Sequence, residues 1–223
     1  MKITTLLFIG GISCSQGAVV QSSSLFSVDG TSPDTLVINF LGNPLATGIA
    51  LSGGFNISDT VVQTLATTAV TTGDYTSLIA GFTGFLGSDD FQTGVDAVFA
   101  TGDIPGAYAM IRNLDPTPFI GQTLYSFIGN GATLSASTEF ALYRHMPVLA
   151  ADPDSPAPAS SYSLLLTGGS LIVGTATTVQ STNANLGTND TTVNAVRLSP
   201  AVPEPSALIL SALGVFGLLR RKR

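Results

Sequence analysis

Short apolar runs separated by turn residues fill the middle of the chain. β-Branched and aromatic residues dominate these runs, and glycine, proline, asparagine and aspartate separate them, which is typical of strands joined by turns. The predicted strands are Thr35 to Leu41, Thr47 to Ile57, Ala107 to Leu114, Gln122 to Asn130, Ser137 to His145, Ser161 to Thr175 and Thr191 to Ser199. We therefore predict a mainly β body over residues 19–200, an antiparallel β-sandwich or a jelly-roll-like pair of sheets.

One stretch of the body has helical rather than strand spacing. In GDYTSLIAGFTGFLG, Asp74 is a candidate N-cap, and apolar residues follow at helical intervals: Leu78, Ile79, Phe82 and Phe85. This spacing predicts one short helix against the sheets. An irregular strand and loop is the alternative, because Gly81 and Gly84 each weaken a helix by about 1 kcal/mol relative to alanine.

Two turn-forming stretches interrupt the last third of the body. The pair Gly168 and Gly169 separates two apolar runs, which predicts a β-hairpin. The stretch from Pro147 to Ser161 contains four prolines and no periodicity, so we predict a long surface loop. A boundary between two small domains is the alternative for that stretch.

The first eighteen residues have the layout of a secretory signal peptide. Lys2 precedes an apolar stretch from Ile3 to Ile12, and small and polar residues follow. We predict an N-terminal signal helix within residues 1–18, removed by signal peptidase after Gly17 or Ala18. A buried apolar helix of a cytosolic domain is the alternative, but no amphipathic periodicity follows it.

Cys14 is the only cysteine of the chain and lies inside this leader. Cleavage after it leaves a mature protein without a thiol, which excludes disulfides, thiolate metal sites and cysteine nucleophiles. Acylation of Cys14, as in a lipoprotein, is the alternative. Gly11 stands where a leucine-like residue is expected for that modification.

Residues 201–223 form a tail of different composition. Pro205 to Leu219 carries no charge, and the basic residues Arg220, Arg221, Lys222 and Arg223 follow it. We predict a C-terminal transmembrane helix over about residues 205–219, which is short beside the roughly 20 apolar residues that usually span a bilayer. The basic cluster would remain cytoplasmic and determine the topology. A C-terminal helix packed on the body, with its basic end favoured by the helix dipole, is the alternative.

The tail VPEPSALILSALGVFGLLRRKR resembles the PEP-CTERM sorting signal of Gram-negative bacteria. It has the acid between two prolines, the short apolar span and the terminal basic cluster in the order of that family. The resemblance implies recognition of Pro203, Glu204 and Pro205 by exosortase, an integral-membrane processing enzyme. It also implies an inner-membrane-anchored precursor whose body is released to the cell surface or extracellular matrix.

Part of the body has a second, looser resemblance. The stretch FIGQTLYSFIGNGATLSASTEFALYRH, a proline-rich loop and SLLLTGG follow one another. This order is similar to bodies that accompany such tails in Verrucomicrobia-like bacteria. The resemblance implies a pair of strands and no chemistry.

The body offers few groups for catalysis or metal binding. His145 is the only histidine, so a Ser-His-Asp arrangement would have to use it; we expect an exposed side chain at the end of a strand instead. Calcium is the metal that the pairs Asp89 with Asp90 and Asp152 with Asp154 would suit, although solvated turn aspartates are the simpler explanation. Only Glu139 among the acids lies in a predicted strand, which argues against a glycosidase.

Charge restricts the partners of the body. Between Val19 and Pro200 there are three arginines, no lysine and thirteen acidic residues, which excludes nucleic acid and phosphate cradling. We therefore predict an exported, non-enzymatic protein without a cofactor, located at the cell surface or in the matrix with exopolysaccharide as a partner. A carbohydrate-binding module of the envelope is the alternative, and a hydrolase using His145 is a third.

Overall fold

The computed structural model describes residues 18–23, 35–84, 106–114, 119, 121–148, 161–166, 169–181 and 191–201. Its strands are β1 (Ala18–Ser23), β2 (Thr35–Ile38), β3 (Ile49–Phe55), β4 (Phe82–Gly84), β5 (Ala109–Leu114), β6 (Thr123–Gly129), β7 (Glu139–Val148), β8 (Ser161–Leu165), β9 (Ser170–Val173), β10 (Thr175–Ser181), β11 (Thr191–Arg197) and β12 (Ser199–Pro200). Two helices, α1 (Asp59–Thr72) and α2 (Thr76–Gly81), lie between β3 and β4.

These strands form three sheets. The central sheet has the order β12-β7-β6-β3-β4, with β9 also paired to β7, and all its pairings are antiparallel. A second sheet has the order β10-β11-β2 and a third the order β5-β1-β8; β11 with β2 and β1 with β8 are parallel pairs. The predicted mainly β fold is confirmed, and the arrangement is consistent with a β-sandwich.

The central sheet has two buried faces because successive side chains of a strand point to opposite sides. On one side, here called the helix face, aromatic and aliphatic residues of the sheet pack with α1 and α2: Phe55, Tyr125, Phe127, Phe140 and Leu142 with Val62, Ala66, Ala69 and Leu78. On the other side, here called the inner face, Ala50, Ile128, Ala141 and Tyr143 pack against Val37, Val196 and Leu198. The second sheet therefore covers the inner face.

Helix α1 is fourteen residues long and does not follow from the strand-like composition of its sequence. Its threonine hydroxyls donate to the carbonyl four residues earlier at 2.8–3.0 Å, at Thr64, Thr67, Thr68, Thr71 and Thr72. One side of the helix buries Val62, Ala66 and Ala69, and Gly73 ends it in the left-handed conformation (φ 75°). Burial of this side outweighs the low helix propensity of threonine and valine.

The helix predicted after Asp74 is confirmed over Thr76–Gly81. The N-cap residue is Tyr75 rather than the predicted Asp74, although the Asp74 carboxylate accepts a hydrogen bond from the Thr76 amide (2.9 Å) at the start of the helix. The helix ends sooner than the spacing predicted because Phe82 begins β4, which pairs with β3. Phe85 lies outside the described residues.

The hairpin predicted at Gly168 and Gly169 is wrong. Strand β8 pairs with β1 in the third sheet, whereas β9 pairs with β7 in the central sheet. A Cβ atom on Gly169 would lie 1.9 Å from the Arg144 carbonyl oxygen, so this glycine permits close packing of two backbones. Gly168 lies outside the described residues.

The other predicted strands are all present, each with ends within a few residues of the prediction. Strands β1, β4, β10 and β12 were not predicted. The signal helix, the transmembrane helix and residues 149–160 of the proline-rich stretch lie outside the described residues, so these predictions stay predictions.

Candidate functional site

The tail leaves the body at one end of the central sheet. Strand β12 pairs with the start of β7, and the Ala201 amide then donates to the Thr138 carbonyl (2.7 Å). The predicted recognition and topology residues lie beyond this point and outside the described part of the chain: Pro203, Glu204, Pro205, Arg220, Arg221, Lys222 and Arg223. No helix within the described ranges is long and apolar enough to cross a membrane.

His145 lies inside β7, on the inner face, and is only 2% exposed. The expectation of an exposed histidine at a strand end is therefore wrong, because β7 continues to Val148. The His145 Nε2 atom is 2.8 Å from the Ser126 Oγ atom, and Ser126 Oγ is 3.4 Å from Ser52 Oγ on the neighbouring strand. The three side chains form a buried polar row across β7, β6 and β3.

Ser126 and His145 have the separation of a nucleophile and its base. Both are enclosed, however, because Ser126 is 0% and His145 2% exposed. A substrate could reach Ser126 only if the surrounding structure opened. The arrangement instead satisfies buried polar groups, which would otherwise destabilise the core.

A charged cluster on the helix face connects β7, β6 and α1. Arg144 contacts the Asp59 carboxylate at two points, Nε to Oδ1 at 3.0 Å and Nη2 to Oδ2 at 2.9 Å. The Tyr125 hydroxyl donates to the same carboxylate, and the Gln63 amide is 3.3 Å from it. The cluster holds the first turn of α1 on the sheet.

This cluster changes the pKa values of its members. Burial raises the pKa of Asp59. The hydrogen bonds from Tyr125 and Arg144, together with the charge of Arg144, lower this pKa by more than burial raises it, so the pKa is below the ordinary 3.8. Burial and the bond to the Asp59 carboxylate raise the pKa of Tyr125 well above its ordinary value. Asp59 is therefore ionised and Tyr125 protonated at neutral pH.

A cleft of about 330 Å³ lies between the second sheet and the β7–β9 edge of the central sheet. Its polar lining includes Thr35, Thr177 and Asn194, and its apolar lining includes Leu166 and Leu171. Asn194 is exposed on β11. Hydroxyl and amide groups beside apolar walls suit a neutral polar ligand.

The acids proposed for calcium, Asp89, Asp90, Asp152 and Asp154, lie outside the described residues, so that suggestion stays a prediction. Among the residues that the structure does describe, no three histidine, cysteine, aspartate or glutamate residues are grouped as a metal site would require. Glu139, at the start of β7, accepts a hydrogen bond from the Phe40 amide (2.8 Å). The sole acid of a predicted strand thus binds a backbone amide.

Sequence reasoning did not predict the Ser126–His145 pair or the Asp59–Arg144 pair. Only the register between strands could have indicated these pairs. The pairing of β6 with β7, for example, places Ser126 and His145 on the same face of the sheet. Asp59 gave no signal because α1 itself was not predicted. Thr35 and Asn194 are brought together by the parallel pairing of β2 with β11, which the alternation of residues does not reveal.

Comparison with known proteins identifies the tail. Residues 201–223 match the family model described as the PEP-CTERM protein-sorting motif. No curated protein and no solved structure is significantly similar to the chain.

The matched motif supports a PEP-CTERM protein. It implies export, a membrane-anchored precursor and processing by exosortase to the cell surface. The match does not reach residues 119–169, so the looser likeness of the body to those of Verrucomicrobia-like bacteria receives no support.

Proposed function

We propose that the body is a non-enzymatic component of the cell surface or extracellular matrix of a Gram-negative bacterium. Signal peptidase removes residues 1–18, the apolar span holds the precursor in the inner membrane, and exosortase acts at Pro203, Glu204 and Pro205. The observation that carries this proposal is the sorting motif at residues 201–223, which begins directly after β12. The motif thus follows a folded body without an intervening domain.

The structure of the body supports a role without catalysis. Its sole histidine is buried with Ser126 inside the body. The ion pair between Asp59 and Arg144 joins α1 to β7, and its two charged groups are already bonded to each other. These groups stabilise the fold, and a surface protein needs such stability outside the cytoplasm.

Processing of the tail is tested by replacing Pro203, Glu204 and Pro205 together with alanine in a body-tagged chain in the native host. We expect normal insertion and an uncleaved precursor in the inner membrane, as in a strain without exosortase. Ser211→Ala, within the apolar span, is the matched control and should be processed normally. If the triple variant reached the surface in mature form at the wild-type rate, sorting through this motif would be refuted.

The cleft supports a second candidate, a carbohydrate-binding module whose partner is exopolysaccharide. Its hydroxyl and amide groups, at Thr35, Thr177 and Asn194, could donate to and accept from sugar hydroxyls. In glycan-array binding, Asn194→Ala should remove a signal that Gln180→Ala keeps, since Gln180 is exposed on β10 and does not line the cleft. No binding by the wild-type chain, or equal binding by both variants, would refute this candidate.

A further inference from the structure

Phe40 and Leu41 form an exposed apolar tip on the turn that follows β2. Phe40 is 52% and Leu41 79% exposed. Hydrogen bonds close the turn beneath them: the Asn39 amide donates to the Asn43 carbonyl (2.8 Å), and the Asn43 amide donates to the Asn39 side chain (2.9 Å). The Gly42 amide also donates to the Asn39 carbonyl (2.9 Å). The two apolar side chains therefore project from a well-bonded turn.

This Phe40–Leu41 tip lies beside the point where the tail leaves the body. The Phe40 amide donates to the Glu139 carboxylate at 2.8 Å, and Glu139 is paired with Pro200 in the β7–β12 register. Ala201, the next residue, is bonded to Thr138. The tip and the start of the tail thus belong to the same end of the body.

We call this end the exit end. It consists of the segments 39–48, 130–138 and 199–201, and none of these segments contains a charged residue. Within the described part of the chain, the carboxylate of Glu139 lies next to it and accepts the hydrogen bond from the Phe40 amide. Arg197, also a described residue, is a cation beside this end, and its Nη2 atom would be 3.7 Å from a Cβ atom on Gly42. An uncharged surface with an apolar tip and an adjacent arginine suits a lipid headgroup region, where apolar groups gain burial and arginine meets phosphate.

The tail keeps the exit end close to the membrane. The uncharged span begins at about Pro205, four residues after Ala201. A fully extended chain covers at most about 3.3–3.6 Å per residue, so the two points are no more than roughly 14 Å apart. The exit end must therefore lie at the interface whenever the span is in the bilayer.

We propose that the Phe40–Leu41 tip docks into the headgroup interface of the membrane that holds the precursor. This inference rests on the proposed function, because it needs the anchored precursor. Docking orients the body relative to the bilayer and so presents the Pro203-Glu204-Pro205 segment to the processing enzyme at the membrane surface. Release of the tail ends the docking, since two apolar side chains alone bind a bilayer weakly.

The chain contains no tryptophan, so a single introduced tryptophan reports only its own surroundings. The full chain carrying Leu41→Trp is reconstituted into vesicles of phosphatidylethanolamine and phosphatidylglycerol. Val61→Trp is the matched control, because Val61 is 45% exposed on α1, in the turn that also contains Asp59. We expect the emission of Leu41→Trp to shift to shorter wavelength and to be quenched by brominated lipid several-fold more than that of Val61→Trp.

Flotation of the same vesicles separates the two proposals. If the chain does not float with the vesicles, the anchored precursor is wrong and docking is overturned with it. If it floats, but both tryptophans emit and are quenched alike, anchoring stands and docking is overturned. In that second case, the double variant Phe40→Ser and Leu41→Ser is tested in the native host. If it slows processing, the tip binds the processing enzyme rather than lipid.

Discussion

Arg144 and Asp59 form a two-point ion pair across 85 residues of sequence, with contacts of 2.9 and 3.0 Å. The pair connects β7, in the central sheet, to the first turn of α1. Both side chains are 29% exposed, so solvent screens the pair only in part. Its position suggests that it determines where the threonine-rich helix begins on the sheet.

Asp59→Asn should lower the free energy of unfolding by roughly 1–2 kcal/mol, between the values for exposed and buried pairs. The reason is that the half-buried Arg144 and the buried Tyr125 lose their charged acceptor. Urea denaturation of residues 18–201, followed by far-UV circular dichroism, measures the change. Arg144→Lys is the control: it keeps the charge but loses the second contact, so it should cost less. Equal stability of Asp59→Asn and wild type would show that the pair has no structural role.

The contribution of Asp59 should depend on pH in a defined direction. Its pKa in the folded chain is below 3.8, so the unfolded chain binds the proton first as the pH falls. The stabilisation is complete above about pH 5 and is lost progressively below it. Melting temperatures measured from pH 7 to pH 2 should show wild type and Asp59→Asn converging in acid. A difference that stays constant to pH 2 would contradict this assignment.

Ser126→Ala should destabilise the body by about 1–3 kcal/mol, because it removes the hydroxyl that lies 2.8 Å from the buried His145 Nε2 atom. Ser52→Ala is the matched control on the same face, and it should cost less because its hydrogen bond to Ser126 is long (3.4 Å). Urea denaturation measures both. A hydrolytic activity of the wild-type chain that disappears in Ser126→Ala and His145→Ala, with the fold retained, would instead favour the hydrolase.

Gly169, which directly precedes β9, and Gly81, the last residue of α2, should respond in opposite ways to alanine. Gly169→Ala places a Cβ atom 1.9 Å from the Arg144 carbonyl oxygen, so β7 and β9 must separate and the unfolding free energy should fall by about 3 kcal/mol or more. Gly81→Ala places it 3.5 Å from the Phe55 ring in a helix, which should be neutral or stabilising by about 0.5–1 kcal/mol. Thermal denaturation distinguishes the two. Similar effects at both positions would show that the close approach of the β7 backbone to Gly169 does not restrict the residue at this position to glycine.

Strand positions could be predicted because a short apolar run bounded by turn residues is a local property. β6 and β7 illustrate this, since each is such a run and the structure places the strands there. Helix α1 could not be predicted in this way. Its threonines and valines favour strands by propensity, and only burial of Val62, Ala66 and Ala69 against a distant sheet makes it helical.

The sequence pattern also does not indicate which strands pair with one another. The apolar runs around Gly169 predict two strands but do not identify their partners, and those partners lie in two different sheets. For the same reason the contacts of Ser126 with His145 and of Asp59 with Arg144 could not be derived. The sorting tail is the exception, because its recognition depends on an ordered local motif rather than on tertiary contacts, and the family match confirms it.

Neutralising the basic cluster tests the topology of the precursor. Replacing Arg220, Arg221, Lys222 and Arg223 with glutamine removes the charges expected to remain cytoplasmic. The apolar span from Pro205 to Leu219 is short, so without them it should be retained poorly. In the native host, we expect a fraction of full-length variant to pass into the periplasm unprocessed, measured by fractionation and protease accessibility of a C-terminal tag. A lysine-for-arginine variant is the control and should behave as wild type, because it keeps the charge. Unchanged retention and processing of the glutamine variant would mean that the span alone, or a contact with the processing enzyme, holds the precursor in place.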